Sequence, residues 1–198
     1  MTVSPDGYMY VFREGESVTN AQNQVLTAEG TVAGENFDIR ATKYQSESAI
    51  EETISNVNSR CEELLVNASA LSDYEKIRYF NKVLTEKNEY NTSADLNSIA
   101  RDCRECVSAL EGRTGTEGPV CEGYARALKV LCDRSAIPCV LVSGTAYNSL
   151  NSPGEVHMWN SVQLEDKWYA VDVTWNDPAG ESGAVSGYEG EEWLFLGY

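Results

Sequence analysis

Residues 118–132 read GPVCEGYARALKVLC, and this stretch decides the fold. A helix is predicted from about Cys121 to Ser135, because apolar residues recur at helical spacing after the Gly-Pro turn. The recurring residues are Tyr124, Ala127, Leu128, Leu131 and Ile137. A helix with so consistent an apolar face packs centrally in a core. The sequence therefore predicts a cysteine at the first turn of a central, buried helix.

Strands are predicted to follow this helix. The apolar run PCVLVSG, residues 138–144, is typical of a strand in the interior of a sheet. The next stretch, TAYNSLNSPGE, has the composition of a surface loop. Two alternating strands are then predicted at about 156–164 and 168–175, facing each other across the EDK segment.

Three helices are predicted before residue 111. The first starts near residue 47, the second starts at the capping-box pair Ser72 and Glu75, and the third runs from about Ala94 to Leu110. Their predicted inward residues are Ile50, Ile54, Val57, Cys61 and Leu64, then Ile77, Phe80, Val83 and Leu84, then Leu96, Ile99, Cys103, Val107 and Leu110. The glycine-rich segment EGRTGTEGP, residues 111–119, is predicted to be a loop.

The N-terminal part of the chain has a different pattern. Short apolar and aromatic runs between residues 7 and 45 predict two or three short strands. We therefore expect a β-rich segment over residues 1–45 and a helix-and-sheet domain over residues 46–198.

The composition excludes several classes of function. The 198 residues carry 31 Asp and Glu against 15 Lys and Arg, a net charge of −16, which would repel a nucleic acid backbone. No apolar run reaches the roughly 18–20 residues that span a bilayer, and the start MTVSPDGYMY lacks the features of a signal peptide. The charge and the pattern predict a protein that binds neither nucleic acid nor a membrane core.

The six cysteines are too sparse for a disulfide scaffold and are expected to be mostly free thiols. Cys103 and Cys106 form one C-x-x-C pair, with no second pair and no spare histidine to complete a zinc site. Packing on one helical face is the preferred interpretation, so no metal or cofactor is predicted. The acidic EGEEW segment likewise lacks the spaced oxygen ligands of a calcium loop.

Cys121 is a candidate nucleophile because of its place in the predicted helix. The pKa of a thiol, about 8.5 when free, falls at the positive end of a helix or beside an imidazolium. A structural cysteine would more naturally lie mid-helix on the apolar stripe, as Cys132 does in this pattern. Placement alone leaves both interpretations open.

The predicted hairpin gives Cys121 two partners. Residues 156, 158, 162 and 164 of the first strand and 169, 171, 173 and 175 of the second are apolar, so these sets should share a face. A two-residue turn at Glu165 and Asp166 satisfies this condition. His157, the one histidine of the chain, then lies diagonal to Asp172 on the other face. Cysteine, histidine and aspartate together can supply a nucleophile, a general base and an orienting carboxylate.

Two long motifs carry a resemblance to a known family. The segments PVCEGYARALKVLCDRSAIPCVLVSG and HMWNSVQLEDKWYAVDVTWNDP resemble the core of the bacterial transglutaminase-like superfamily, over about residues 72–178. The resemblance implies a papain-like triad with Cys121 as nucleophile, His157 as general base and acid, and Asp172 holding the imidazole. It also implies an α+β fold in which the cysteine helix packs against an antiparallel sheet, and it favours a secreted or cell-surface location.

Further residues are candidates for the oxyanion hole and the substrate cleft. The Cys121 backbone amide is the natural first oxyanion donor, and Tyr90, Asn91 and Ser108 are candidates for the second. Trp159 and Trp168 share the predicted face of the triad, where they would line a substrate groove or shield the His–Asp pair. Asp177 is a rival to Asp172, although its turn position before Pro178 favours a local cap.

The favoured hypothesis is acyl transfer by a cysteine enzyme on a protein or peptide substrate, with water as acceptor. Cross-linking to an amine is an alternative, because family members include transglutaminases, proteases and amide-cleaving deglycosylases. A non-catalytic binding module of a surface protein is the second alternative. The oligomeric state is not predicted from the sequence.

Overall fold

The computed structural model describes residues 47–95, 102–147, 153–177 and 190–197, together with the backbone of short strands between residues 2 and 36. The chain divides into two compact units, Met1–Ile50 and Glu51–Tyr198. Within the described residues, no helix is both long and apolar enough to cross a membrane.

The first unit contains short antiparallel strands. The described strands are β1 Thr2–Val3, β2 Met9–Tyr10, β3 Ser17–Thr19, β4 Val25–Thr27, β5 Thr31–Val32 and β6 Glu35–Asn36. β1 pairs with β2, and β3 to β6 form a four-stranded meander. This region therefore holds more strands than the two or three predicted, and each spans only two or three residues.

The second unit is an α+β structure built from helices and one antiparallel sheet. Its helices are α1 Glu47–Asn67, which begins in the first unit, α2 Asp73–Lys87, α3 Cys106–Leu110, α4 Cys121–Arg134 and α5 Val173–Asn176. Its strands are β7 Cys139–Ala146, β8 Glu155–Leu164, β9 Lys167–Val171 and β10 Leu196–Gly197, in the order β10-β9-β8-β7. α4 packs against β7 and β8, as predicted for the cysteine helix.

The hydrophobic core lies between α4, the preceding helices and the sheet. It includes the fully buried residues Cys61, Ile77, Phe80, Leu84, Tyr124, Leu128, Leu131, Val162 and Val171. Most of the residues predicted to be inward on α1, α2 and α4 are buried, since helical spacing alone identifies the face that packs. Ile54 is an exception, because its side chain is 55% exposed.

The start of α2 confirms the capping box. The Ser72 hydroxyl oxygen accepts from the Glu75 backbone N–H, and a Glu75 carboxylate oxygen accepts from the Ser72 backbone N–H at 2.9 Å. This reciprocal pair satisfies two amides that the helix itself leaves unpaired.

The predicted helix from Ala94 to Leu110 is wrong over most of the described residues. Only Cys106–Leu110 is α-helical, and Asp102–Arg104 forms a 3-10 turn. The Asn91 side-chain oxygen accepts from the Ser93 backbone N–H at 3.1 Å, a local turn that competes with helix formation. Leu96 and Ile99, predicted to be inward, lie outside the described residues.

Two strand predictions also need correction. β7 is an edge strand rather than an interior one, and Val140 is 45% exposed on it. Apolar runs do not distinguish an edge position, because that position depends on which strands pair later in the chain. β9 ends at Val171 instead of residue 175, because Asp172 caps the short helix α5 by accepting from the Trp175 backbone N–H.

The loop before Cys121 is fastened to the end of α2. Asn88 is buried, and its amide nitrogen donates to the Leu84 and Ala109 carbonyls at 2.7 and 2.9 Å. Its side-chain oxygen accepts from the Arg113 backbone N–H at 2.9 Å. A Cβ at Gly118 would lie 2.0 Å from the Glu89 carbonyl oxygen, so glycine is required for this close approach. The start of α4 is therefore held by the segment that follows α2.

Replacing Asn88 by Ala is expected to lower the free energy of unfolding by about 2–4 kcal/mol, because it leaves buried backbone groups without partners. The measurement is urea unfolding of the two proteins. Asn56→Ala is the matched control, since Asn56 is exposed and its one hydrogen bond, to Glu111, is 3.4 Å long. Equal losses in both variants would contradict this account of the loop.

Candidate active site

Cys121 is the first residue of the 14-residue helix α4 and is half-buried. The chain enters this helix through a hydrogen bond from the Val120 backbone N–H to the Cys103 carbonyl at 2.9 Å. Gly123 fits against the preceding segment, because a Cβ there would lie 2.5 Å from the Cys103 carbonyl oxygen. The helix start thus places the thiol next to unpaired backbone amides and the positive end of the helix dipole.

His157 and Asp172 are hydrogen-bonded to each other. The imidazole Nε2 lies 2.6 Å from Asp172 Oδ2, and the two residues are only 5% and 7% exposed. The register of β8 and β9 produces this contact, because Asn160 pairs with Val171 and Leu164 with Lys167 across a two-residue turn. The predicted register is therefore confirmed.

The Asp172 carboxylate is fixed on both of its oxygens. Oδ2 contacts the imidazole, and Oδ1 accepts from the Trp175 backbone N–H at 3.1 Å. The Asp172 backbone N–H donates to the Trp193 carbonyl at 3.0 Å. One residue thus ends β9, caps α5 and orients the histidine ring.

The Cys121 side chain also acts on His157, because it raises the pKa of the imidazole. Since Nε2 is bonded to Asp172, Nδ1 is the ring nitrogen that remains for the thiol. Burial by itself lowers the pKa of His157, but the hydrogen bonds and charges of Asp172 and Cys121 outweigh it and raise the pKa to about 9. At neutral pH the ring is therefore an imidazolium.

Tryptophan rings pack around the imidazole. Trp175 is stacked on it with a centroid distance of 4.9 Å and an interplanar angle of 15°, and Trp159 lies 6.1 Å away at 21°. Trp193 packs edge-on against Trp175 at 4.5 Å. Stacked aromatic faces stabilise a cationic ring and keep water from the His–Asp hydrogen bond.

The three predicted oxyanion candidates have different surroundings. Burial and the nearby Cys121 raise the pKa of Tyr90 to about 12, so Tyr90 lies at the helix start beside the thiol. The Asn91 amide nitrogen donates to the Thr116 carbonyl at 2.8 Å, and the Ser108 hydroxyl donates to the Glu105 carbonyl at 2.8 Å. Both of these groups are thus engaged in fastening the backbone around the helix start.

Two other predicted residues lie away from the imidazole. Trp168 is 40% exposed and pairs with Gln163, about 20 Å along β8 from His157. Asp177 is buried and accepts a hydrogen bond from the Tyr124 hydroxyl of α4. The structure therefore brings Asp172, not Asp177, to the histidine.

Sequence reasoning missed the residues that hold the tryptophans in place. The Asn176 side-chain oxygen accepts from the Trp193 backbone N–H at 2.9 Å, and its amide nitrogen donates to Asn81 Oδ1 at 2.9 Å. The predicted strand over residues 168–175 put Trp175 on the face opposite His157. The Asp172 cap would have been the available signal, because aspartate is favoured at the N-cap position, where a helix begins after a strand.

All six cysteines are free thiols, and within the described ranges no three His, Cys, Asp or Glu side chains form a metal-binding group. Burial raises the pKa of the Cys61 and Cys106 thiols. The pKa of the Cys132 thiol is also raised, by its hydrogen bond to Cys139 and by burial. These three cysteines are therefore less reactive than an exposed thiol.

Comparison with known proteins identifies the family of this chain. The sequence model of the transglutaminase-like superfamily matches residues 65–173, just over half of the chain. The matched range contains Cys121, His157 and Asp172. The chain belongs to the transglutaminase-like superfamily, a cysteine-dependent family.

Particular relatives are similar over part of their length. The kyphoscoliosis peptidase of Mus musculus is 30% identical over 146 residues, which cover 70% of this chain and 21% of the mouse protein. The Homo sapiens kyphoscoliosis peptidase is 29% identical over 147 residues, 71% of this chain and 20% of the human protein. The chain thus spans about a fifth of the length of these relatives.

A solved structure supports the fold. The crystal structure of a TGase superposes with a TM-score of 0.50 and 15% sequence identity, over 75% of this chain and 38% of the other. At this identity the similarity concerns the fold alone.

The ionisation of His157 can be followed directly, because the chain has one histidine and therefore gives one imidazole signal in NMR. We expect this signal to titrate near pH 9, and to titrate at lower pH in Asp172→Asn, which loses the carboxylate that stabilises the cation. Because the folded pKa exceeds the unfolded value, this group stabilises the fold fully below about pH 6.5 and progressively less as the pH rises through 9.

Asp166→Asn is the control for this titration. Asp166 lies in the β8–β9 turn with φ of +63°, a conformation that asparagine tolerates. The variant should leave the histidine titration unchanged. A wild-type signal that titrates near the ordinary value of about 6.5 would contradict the assigned environment.

Proposed function

We propose that residues 46–198 form a cysteine-dependent acyl-transfer domain that hydrolyses amide bonds in a protein or peptide. The observation that carries this proposal is the 2.6 Å hydrogen bond between His157 and Asp172, with the Cys121 side chain at the start of α4 near enough to His157 to raise its pKa. Cys121 is the nucleophile, His157 the general base and acid, and Asp172 the residue that orients the ring. A nucleophile, a base and an orienting group in contact are the geometric signature of covalent catalysis.

The reaction follows from these roles. The Cys121 thiolate attacks the amide carbonyl carbon and forms a tetrahedral intermediate with a negative oxygen. The His157 imidazolium donates its Nδ1 proton to the leaving nitrogen, and the C–N bond breaks to leave a thioester on Cys121. The neutral imidazole then takes a proton from water while the water oxygen attacks the thioester carbon. The C–S bond breaks, which releases the carboxylic acid product and restores the Cys121 thiolate and the His157 imidazolium.

Tyr90 is the second donor to the oxyanion in this proposal, beside the Cys121 backbone N–H. Burial, with the charges of Cys121 and Glu155, raises the pKa of Tyr90 to about 12. The hydroxyl therefore keeps its proton at neutral pH. A substrate carbonyl oxygen that enters beside the helix start would accept from both groups.

Water is the proposed acceptor of the acyl group. The relatives with about 30% identity are named peptidases, which supports hydrolysis. Cross-linking proceeds through the same thioester and differs only in its acceptor, an amine. A non-catalytic module would keep the fold without turnover.

Thiol labelling tests the nucleophile. Iodoacetamide followed by peptide mass spectrometry should modify Cys121 faster than the other five cysteines between pH 6 and 8. The internal comparison is Cys106, which is also half-buried and whose thiol pKa is raised by burial. His157→Ala should remove the advantage of Cys121. Equal labelling of all thiols, unchanged by His157→Ala, would contradict the assignment.

A peptide library with and without an added primary amine separates the three functions. Hydrolysis appears as cleavage, cross-linking as a gain of the mass of the amine with loss of ammonia, and a binding module as neither. We expect cleavage that Cys121→Ala abolishes. Amine incorporation as the main product would replace the proposed hydrolase with a transglutaminase.

Removal of the Tyr90 hydroxyl tests the oxyanion role. Tyr90→Phe is expected to lower kcat roughly 10²–10³-fold with little change in KM, as for the loss of other oxyanion donors. Tyr147→Phe is the matched control, because Tyr147 is 59% exposed at the end of β7. Urea unfolding of both variants separates catalysis from stability. Full kcat in Tyr90→Phe would exclude this donor.

A further inference from the structure

Glu155 is a carboxylate at the mouth of the candidate active site. It is the first residue of β8, two residues before His157, so strand alternation places both side chains on one face of the sheet. The two positions are about 7 Å apart along the strand. His157 is buried, whereas Glu155 is exposed to solvent. A substrate that reaches the imidazole therefore passes close to this carboxylate.

Tyr90 gives a second observation that places Glu155 at this mouth. The negative charge of Glu155 contributes to raising the pKa of the Tyr90 hydroxyl, after burial and the Cys121 charge. Glu155 and Cys121 thus both lie near the Tyr90 hydroxyl.

Among the described residues, no Lys or Arg forms an ion pair with Glu155. The ion pairs there join other residues, namely Arg60 with Glu63, Lys76 with Asp73, Arg78 with Glu191, Lys82 with Glu86, Arg113 with Glu111, Arg126 with Glu122 and Lys129 with Asp133. Many of the few cations of this chain, whose net charge is −16, are therefore already neutralised. The field at the opening attracts positive groups and repels negative ones.

We propose that Glu155 is a specificity-determining residue that selects substrates with a lysine or arginine side chain close to the reacting amide. This inference rests on the proposed function, because it names the substrate class of the same site. The cationic side chain would bind the Glu155 carboxylate at the rim while the amide carbonyl lies beside Cys121. Glu155 takes no part in proton transfer, since it lies outside the row formed by Cys121, His157 and Asp172.

The first experiment compares matched peptides. Lysine is exchanged for norleucine, and arginine for citrulline, at each of three positions on either side of the cleaved bond, and kcat/KM is measured by mass spectrometry. At one or more of these positions we expect the wild-type protein to prefer the cationic peptide about 5- to 20-fold, as for a partly desolvated ion pair. Glu155→Gln should reduce this preference to near unity, and Glu155→Lys should reverse it.

Glu165→Gln is the matched control. Glu165 is also an exposed glutamate, but it follows the last residue of β8 and lies about 33 Å along the strand from Glu155. This variant should keep the wild-type preference for cationic peptides.

A further measurement adds cadaverine, an amine that competes with water for the thioester. It tests whether the cationic group that Glu155 attracts is the acyl acceptor and not a side chain of the cleaved peptide.

The second experiment measures the electrostatic field at Cys121 and does not require that the protein cleave a substrate. Cationic and anionic methanethiosulfonates are allowed to react with the protein, and modification of each cysteine is followed by mass spectrometry. The cationic reagent should modify Cys121 faster, and Glu155→Gln should reduce the ratio of the two rates several-fold. Glu165→Gln should not change this ratio.

The outcomes separate the two proposals. Turnover that requires Cys121 but is indifferent to Glu155 overturns the selectivity and leaves the proposed function intact. A dependence on Glu155 that is confined to cadaverine capture overturns the selection of a basic peptide. If no peptide is turned over, the proposed function fails and the peptide selectivity fails with it. The ratio of the rates at which the cationic and anionic methanethiosulfonates modify Cys121 still shows, in that case, whether Glu155 controls the charge around the thiol.

Discussion

The antiparallel register of β8 and β9 is the constraint on which the rest of the candidate site depends. The two strands are joined by Glu165 and Asp166, both with positive φ, the conformation of a tight two-residue hairpin turn. A slip of one residue would move Asp172 to the opposite face relative to His157 and break their hydrogen bond. The turn is exposed and about 25 Å along β8 from the imidazole, yet it sets the position of the carboxylate.

A second constraint fixes the cysteine independently of the hairpin. The start of α4 is held by hydrogen bonds to the segment that follows α2 and by the close approach of Gly118 to the Glu89 carbonyl. The thiol and the imidazole therefore come from two separately fastened parts of one core. Such preorganisation is what catalysis by positioned groups requires, because a displacement of about 1 Å costs much of the rate.

Aromatic rings pack around the cationic imidazole inside the site, whereas a carboxylate lies at its solvent-exposed rim. The tryptophans around His157 exclude water and strengthen its interaction with Asp172. At the rim, Glu155 faces solvent in a chain that is strongly acidic overall. The interior of the site thus stabilises a buried imidazolium, while its mouth presents a negative charge to whatever enters.

The sequence by itself determined the helix that begins at Cys121, the capped start of α2 and the hairpin register, because each follows from local spacing and turn chemistry. It therefore also predicted the proximity of His157 and Asp172. Only the tertiary structure decided that β7 lies at the sheet edge, that α5 replaces the end of β9, and that Trp175 stacks on His157. These features depend on which distant segments pack together, such as Asn176 with Asn81 and Asp172 with Trp193. Contacts between residues so far apart in the chain leave no periodic signal in a single sequence.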